Sequence, residues 1–169
     1  KLVASQHGVT TPRSVFIEDA AQLSALTELR LPVIVKPNFE GSSVGITVDS
    51  VVDAPELLNV RVRELLARFP AGLLVEEFII GRDVTVPFLE KASPETGGVL
   101  EPAHYAYDPQ VVAGRRYQLY DYELKNVGSE AVSVHVPAAI SSAQRARCME
   151  LAQRVVRALG IRVEVDDSD

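Results

Sequence analysis

The stretch Lys36-Pro37-Asn38-Phe39-Glu40-Gly41-Ser42-Ser43-Val44-Gly45 places a lysine, two hydroxyls and two glycines in ten consecutive residues. That combination suits a bound anion. Glycine lets the backbone approach a ligand closely, so several N–H groups of one turn can face the same phosphate. The serine hydroxyls add donors, and the Lys36 ammonium adds a point charge. The pattern is not a G-x-x-x-x-G-K-[ST] loop, because the lysine precedes the glycines. The competing reading is an ordinary hairpin turn beside a solvated lysine.

Two later segments carry further candidates. Leu73-Leu74-Val75-Glu76-Glu77-Phe78-Ile79 is strand-like and holds paired carboxylates; Gly81-Arg82-Asp83 then turns into an alternating run from Val84. Tyr120-Asp121-Tyr122-Glu123-Leu124-Lys125 brings a second lysine. Taken in order, the lysine and E-G-S-S-V-G turn, the V-E-E-F-I-x-G-R-D run and the Y-D-Y-E-x-K run resemble the ATP-grasp superfamily. Within it the chain is most similar to the D-alanine–D-alanine ligases. The resemblance runs from about Lys1 to Gly160, and its specificity lies in the combination of pieces.

The resemblance implies an ATP-dependent carboxylate–amine ligase. Such an enzyme forms an acyl phosphate that an amine attacks, giving a dipeptide such as D-alanyl-D-alanine, ADP and phosphate. Its partners are ATP and small amino acids, and its place is the cytoplasm, in peptidoglycan biosynthesis. A homodimer is one assembly open to it. By the same resemblance Lys36 contacts the nucleotide phosphates, Ser43 and Val44 form the tip that covers them, and Ser42 orients the amino acid. Lys125 reaches the phosphates from a mobile loop. Glu76 belongs to the adenine pocket, Glu77 and Ile79 to a hinge whose backbone pairs with the adenine edge, and Asp83 to the ribose hydroxyls. Each has a plainer alternative: a surface lysine, a serine capping its own turn, a solvated turn aspartate beside Arg82. Asn126 stands where these ligases often carry tyrosine, which keeps a peptide ligase for other amino acids open.

Mg²⁺ is expected, held by carboxylates and substrate phosphates. The family supplies its ligands after the last helix, as an R-x-D strand and an E-x-N pair. Arg162-Val163-Glu164 resembles the first, with glutamate for aspartate and several residues early, which makes Glu164 the metal candidate. The E-x-N pair is missing from the sequence. With Lys1 arriving mid-pattern, the chain reads as a piece of a longer polypeptide that is not expected to ligate alone. A nucleotide-binding module without ligation is the remaining alternative.

These residues need elements to position them. Apolar, β-branched runs predict strands at Ser14–Ile17, Val33–Lys36, Gly45–Val48, Leu73–Ile79, Val84–Leu89, Gly98–Tyr107, Tyr117–Leu124 and Ala131–Val136. Helical spacing predicts a first helix ending near Gly8, then helices from Asp19 to Leu26 or Leu29, from Ala54 to Phe69 and from Ser141 to Leu159. The order of elements gives an α+β class rather than a doubly wound sheet. The resemblance implies the ATP-grasp fold, two α+β lobes with antiparallel sheets sandwiching the nucleotide, here divided into residues 1–72 and 73–169.

Composition narrows the field further. The net charge of −6 over 169 residues, with no basic stripe, argues against nucleic-acid and anionic-membrane partners. No apolar run approaches the ~20 residues of a membrane span. The lone Cys148 excludes an internal disulfide framework and fits a reducing compartment. No Cys/His spacing suits zinc. Arg61, Arg63, Arg68 and the pair Arg115-Arg116 read as scattered, solvated charges.

Overall fold

The computed structural model describes residues 1–162. In chain order its elements are α1 (Leu2–Gln6), β1 (Ser14–Ile17), a 3-10 helix (Ala20–Glu28), β2 (Val33–Pro37), a 3-10 turn (Val48–Ser50), β3 (Val51–Val52), α2 (Pro55–Arg68), β4 (Leu73–Glu77), β5 (Val84–Thr85), β6 (Ala103–Tyr107), α3 (Tyr122–Asn126), β7 (Val132–His135) and α4 (Ser142–Leu159). They fall into two units. The fold is α+β, and the strand pairings with defined register are antiparallel.

The larger unit takes in residues 12–81 and 107–132. Its sheet has the order β1-β4-β2-β3. Side chains alternate across a sheet, and the register sets Val33 opposite Glu77, Val35 opposite Val75 and Lys36 opposite Leu74. One face therefore carries Ile17, Val33, Val35, Leu73 and Val75, all fully buried. The other carries Lys36 and Glu76. α2 covers the apolar face with Leu58, Val62 and Leu65, and Leu26 of the 3-10 helix joins the same core. Pro55 starts α2 at a position where a missing N–H costs nothing.

Several expected elements take other forms. The segment after Asp19 winds as a 3-10 helix, not an α-helix. Thr27 turns its hydroxyl back onto the Ser24 carbonyl at 2.8 Å, the kind of local bond that competes with regular helix. The strand expected at Gly45–Val48 is absent: Ser50, buried beneath the chain, accepts the Thr47 N–H at 2.9 Å and closes a 3-10 turn there. The strand expected at Tyr117–Leu124 is also absent. Asp121 accepts the Leu124 N–H at 3.0 Å, which caps α3 and ends any extended run. The strands expected at Val84–Leu89 and Gly98–Tyr107 shorten to β5 and β6, with a single bridge between Phe88 and Val99.

The second unit takes in residues 1–11, 82–106 and the chain from Ser133 onward. It holds the sheet β5-β6-β7 and α4. Ser141 and Gln144 form a reciprocal cap on α4, and Gly160 closes its end with a left-handed φ of 61°. No helix among the described residues is long and apolar enough to cross a membrane.

The α2 face supplies a direct check on the core. Leu65, 1 % exposed, should cost about 2–5 kcal/mol on substitution by alanine. Leu57→Ala, on the exposed side of the same helix, should stay within about 0.5 kcal/mol. Urea unfolding followed by circular dichroism compares the two, and equal losses would contradict the assignment of faces.

Candidate functional site

Lys36 leaves the sheet at the end of β2, on the face away from the core. Its Nζ donates to Glu76 Oε1 at 2.5 Å, across from β4. The lysine side chain is 29 % exposed and the glutamate 11 %. Lys36 is therefore not a freely solvated turn lysine. Partial burial of either charge alone would be costly, and the pair offsets that cost. The next residue, Glu77, faces the opposite way. It accepts Arg30 Nη2 at 3.0 Å, Arg30 Nε at 3.3 Å and the Arg30 backbone N–H at 3.1 Å. The hydrogen bonds from the Arg30 side chain and backbone hold its carboxyl below the usual carboxylate range, and they raise the guanidinium in turn. Of the two adjacent carboxylates, one reaches the Lys36 face and the other ties β4 to the chain before β2. The Glu77 backbone N–H is also engaged, by the Arg13 carbonyl at 3.0 Å.

The glycine–serine turn sits beside Lys36. The Val44 N–H donates to the Gly41 carbonyl and the Ile46 N–H to the Ser43 carbonyl, both at 2.9 Å. The left-handed positions are not where glycine alone would put them. Ser42 and Ser43 have φ of 50° and 59°, a conformation costing roughly 1–2 kcal/mol for an L-residue. Gly45 is left-handed as well, and a Cβ there would stand 2.6 Å from Pro37 Cγ and 2.9 Å from the Phe69 ring. Strain of this kind collects where a local shape is used. The turn, Lys36, Asn38 and Glu40 line a cleft of about 250 Å³. A larger cleft of about 510 Å³ lies between the 3-10 helix and α2, but no charged side chain lines it.

The segment 107–132 completes this unit and brings the second lysine to the turn. Ser43 Oγ donates to the Tyr120 carbonyl at 2.9 Å. The Tyr122 N–H donates to the Ile46 carbonyl at 3.0 Å. Asn126 Nδ2 donates to the Ser42 carbonyl at 3.2 Å and to the Tyr122 carbonyl at 3.0 Å. Lys125 is exposed on α3, with Nζ 6.0 Å from the Tyr120 ring centroid. Lys36, Ser42, Ser43, Val44, Glu76 and Lys125 thus belong to one unit, in which the Lys125 helix is hydrogen-bonded to the serine turn.

The remaining expected residues are not all in this unit. Ile79 stands beyond the end of β4 with its side chain exposed. Asp83 is exposed in the second unit, where its carbonyl accepts the Tyr105 N–H at 3.3 Å. Glu164 lies outside the described residues. Among the described residues, no group of three or more His, Cys, Asp or Glu side chains is placed to hold a metal ion.

Several side-chain partnerships were not evident from the sequence. Arg115, expected to be solvated, has a side chain only 13 % exposed and donates to Asp121 Oδ2 at 2.8 Å. Arg116 pairs with Asp53 at 2.6 Å, and the Tyr117 hydroxyl donates to the same Asp53 oxygen at 2.8 Å. Arg61 is tucked against the 47–50 turn, donating to Thr47 Oγ1 at 3.0 Å. One signal was available: an aspartate three residues before a buried leucine is an N-cap pattern. The long-range partners leave no local trace in the sequence.

Comparison with known proteins gives consistent matches. A family model described as the D-ala D-ala ligase C-terminus matches residues 3–165. A D-alanine–D-alanine ligase of Pseudomonas putida is 32 % identical over 95 % of this chain and 45 % of its own length. One of Bordetella petrii is 35 % identical over the same shares. The crystal structure of the VanG D-Ala:D-Ser ligase from Enterococcus faecalis superposes with a TM-score of 0.68 at 25 % identity, covering 94 % of this chain and 43 % of that one. The chain spans less than half the length of these relatives.

The Glu77–Arg30 bond has a pH signature. Because the folded carboxyl is held below its ordinary value of about 4.3, its stabilising contribution is full above that value. The contribution is lost as pH falls through the lower folded one. Arg30→Gln should shrink this acid-side loss, leaving a flatter dependence of the urea midpoint on the acid side, below about pH 5. An unchanged dependence would mean the bond does not persist in solution.

Proposed function

This chain belongs to the D-alanine–D-alanine ligase C-terminal family and has its α+β ATP-grasp fold, and from that premise we propose that it carries the nucleotide-binding machinery of an ATP-dependent carboxylate–amine ligase. The observation that carries the reading is the junction between the strained Ser42–Ser43 turn, with Lys36 beside it, and the helix bearing Lys125.

In this reading the polyphosphate of ATP lies along the serine turn. Lys36 shares its charge between Glu76 and the phosphates, and Lys125 approaches from α3. Two ammonium groups lower the negative charge on the terminal phosphoryl group, which favours attack by a substrate carboxylate. That attack breaks the terminal phosphorus–bridging oxygen bond and releases ADP; the acyl phosphate is then attacked by the amine of a second amino acid, which gives up a proton as phosphate leaves. The hydroxyl of Ser42 orients the amino acid, and Ser43 with Val44 shields the phosphates from water. Glu76, the backbone at Glu77 and Ile79, and Asp83 are the proposed adenine and ribose contacts. Mg²⁺ normally accompanies a bound polyphosphate, but the described residues offer no cluster of three or more His, Cys, Asp or Glu side chains for it.

D-Alanyl-D-alanine is the proposed product. A cytoplasmic enzyme of peptidoglycan synthesis, acting as a homodimer, is the setting that goes with it. One observation favours a second reading of the substrate. Asn126 uses its amide on the Ser42 carbonyl, not on the Ser42 hydroxyl, so the group beside the amino acid keeps its own donor and acceptor. That arrangement is compatible with a second amino acid other than D-alanine.

Two measurements test the proposal. Lys36→Ala removes a charge-assisted contact worth about 1.5–3 kcal/mol, so ATP affinity should fall by roughly ten- to a hundredfold in calorimetry. Unchanged affinity would sink the phosphate role of the turn. Asp83→Ala should weaken ATP while leaving tripolyphosphate untouched, and equal losses for both would reject the ribose role.

A further inference from the structure

Asp53 lies between β3 and α2, outside the Lys36 cleft, yet it reaches the segment that carries Lys125. Its Oδ2 accepts the Tyr117 hydroxyl at 2.8 Å and Arg116 Nη1 at 2.6 Å. The bond to Asp53 raises the Tyr117 hydroxyl above the usual phenol range, so it remains a donor. The Tyr117 ring meets the Phe78 ring edge-on at 5.5 Å, just past the end of β4. Arg115, the neighbour of Arg116, turns to Asp121, whose carboxylate is 1 % exposed. The same carboxylate caps α3 through the Leu124 N–H at 3.0 Å. The chain from Arg115 to Asp121 is thus anchored to Asp53 near its start and closed on itself by the Arg115–Asp121 pair, and α3 begins at Asp121.

α3 has only five residues. A helix that short has no stability of its own, because nucleation outweighs the few bonds it makes. Its direction, and the place of Lys125, must come from what holds its ends. The turn holds one end through Asn126 and Ser42 and touches the other through Tyr120 and Tyr122, while Asp53 holds the chain that leads into it.

We propose that Asp53 is a positioning residue for Lys125: through Tyr117 and Arg116 it fixes the segment whose capped end presents the lysine beside the serine turn. This rests on the phosphate reading of Lys125. Asp53 itself touches no substrate.

The test is a double-mutant cycle with ATP affinity read by calorimetry, using Tyr117→Phe, Asp53→Asn and Lys125→Met. Tyr117→Phe keeps the ring against Phe78 and loses only the hydroxyl, so folding is preserved. Each anchor variant should weaken ATP about three- to tenfold, the effect of one lost hydrogen bond. Neither should weaken it further once Lys125 is methionine. Amide exchange over residues 115–126 in the ligand-free chain should quicken in both. Equal losses with and without Lys125 would overturn the proposal in favour of general support, and so would unchanged affinity in both anchor variants. A loss in Lys125→Met that the anchor variants do not share overturns Asp53 alone. Unchanged affinity in Lys125→Met, or no ATP binding by the unaltered chain, overturns the reading of Lys125 and the positioning role together.

Discussion

The antiparallel pairing of β2 with β4 is the constraint from which the rest follows. Its register sends four fully buried residues, Val33, Val35, Leu73 and Val75, to α2 and leaves Lys36 and Glu76 on the other face. A slip of one residue would invert every side chain, burying a lysine and a glutamate against α2 and exposing the valines. Burial of the apolar face therefore fixes where the charged pair stands. The ion pair is a consequence of the hydrophobic register more than a cause of it. It also gives a partly buried cation a counter-charge on the face away from the core.

The site is assembled from two kinds of material. Its floor is sheet, held by apolar burial and by the Arg30–Glu77 bond at the margin. Its rim is irregular chain, held by polar bonds to backbone carbonyls: Ser43 to Tyr120, Asn126 to Ser42, Tyr122 to Ile46. Burial is non-directional and strong in sum, whereas each such bond contributes only about 0.5–1.5 kcal/mol net. The floor can then stay rigid while the rim is adjusted. Opening of this kind is commonly drawn from the weakest part of a fold.

Legibility in the sequence followed the same division. β1, α2 and α4 could be read within a residue or two because their periodicities are long or cleanly bounded: Pro70-Ala71-Gly72 after one helix, Ser141 and Gly160 around another. The lysine–serine turn could be located but not shaped, since the left-handed conformation falls on Ser42 and Ser43 while Gly41 keeps an ordinary φ. The run Tyr117–Leu124 alternates well enough to suggest a strand, but the cap at Asp121 outweighs alternation. The same carboxylate is also held by Arg115, whose burial no local pattern announces. Arg116 and Asp53 are a similar case, a pair separated by most of the unit and visible only once the chain is folded.

The unit that holds both lysines is discontinuous in the chain, with residues 82–106 belonging to the other unit. Its four strands all lie before residue 78, while the rim bonds close loops of 77 and 84 residues. During synthesis, the sheet can gather its core before the segment carrying Lys125 leaves the ribosome. Closing the long loops comes late and carries its entropy cost then. Contacts made so late belong to the native side of the folding barrier, so substitutions along the rim are felt in how fast the unit comes apart and hardly in how fast it forms.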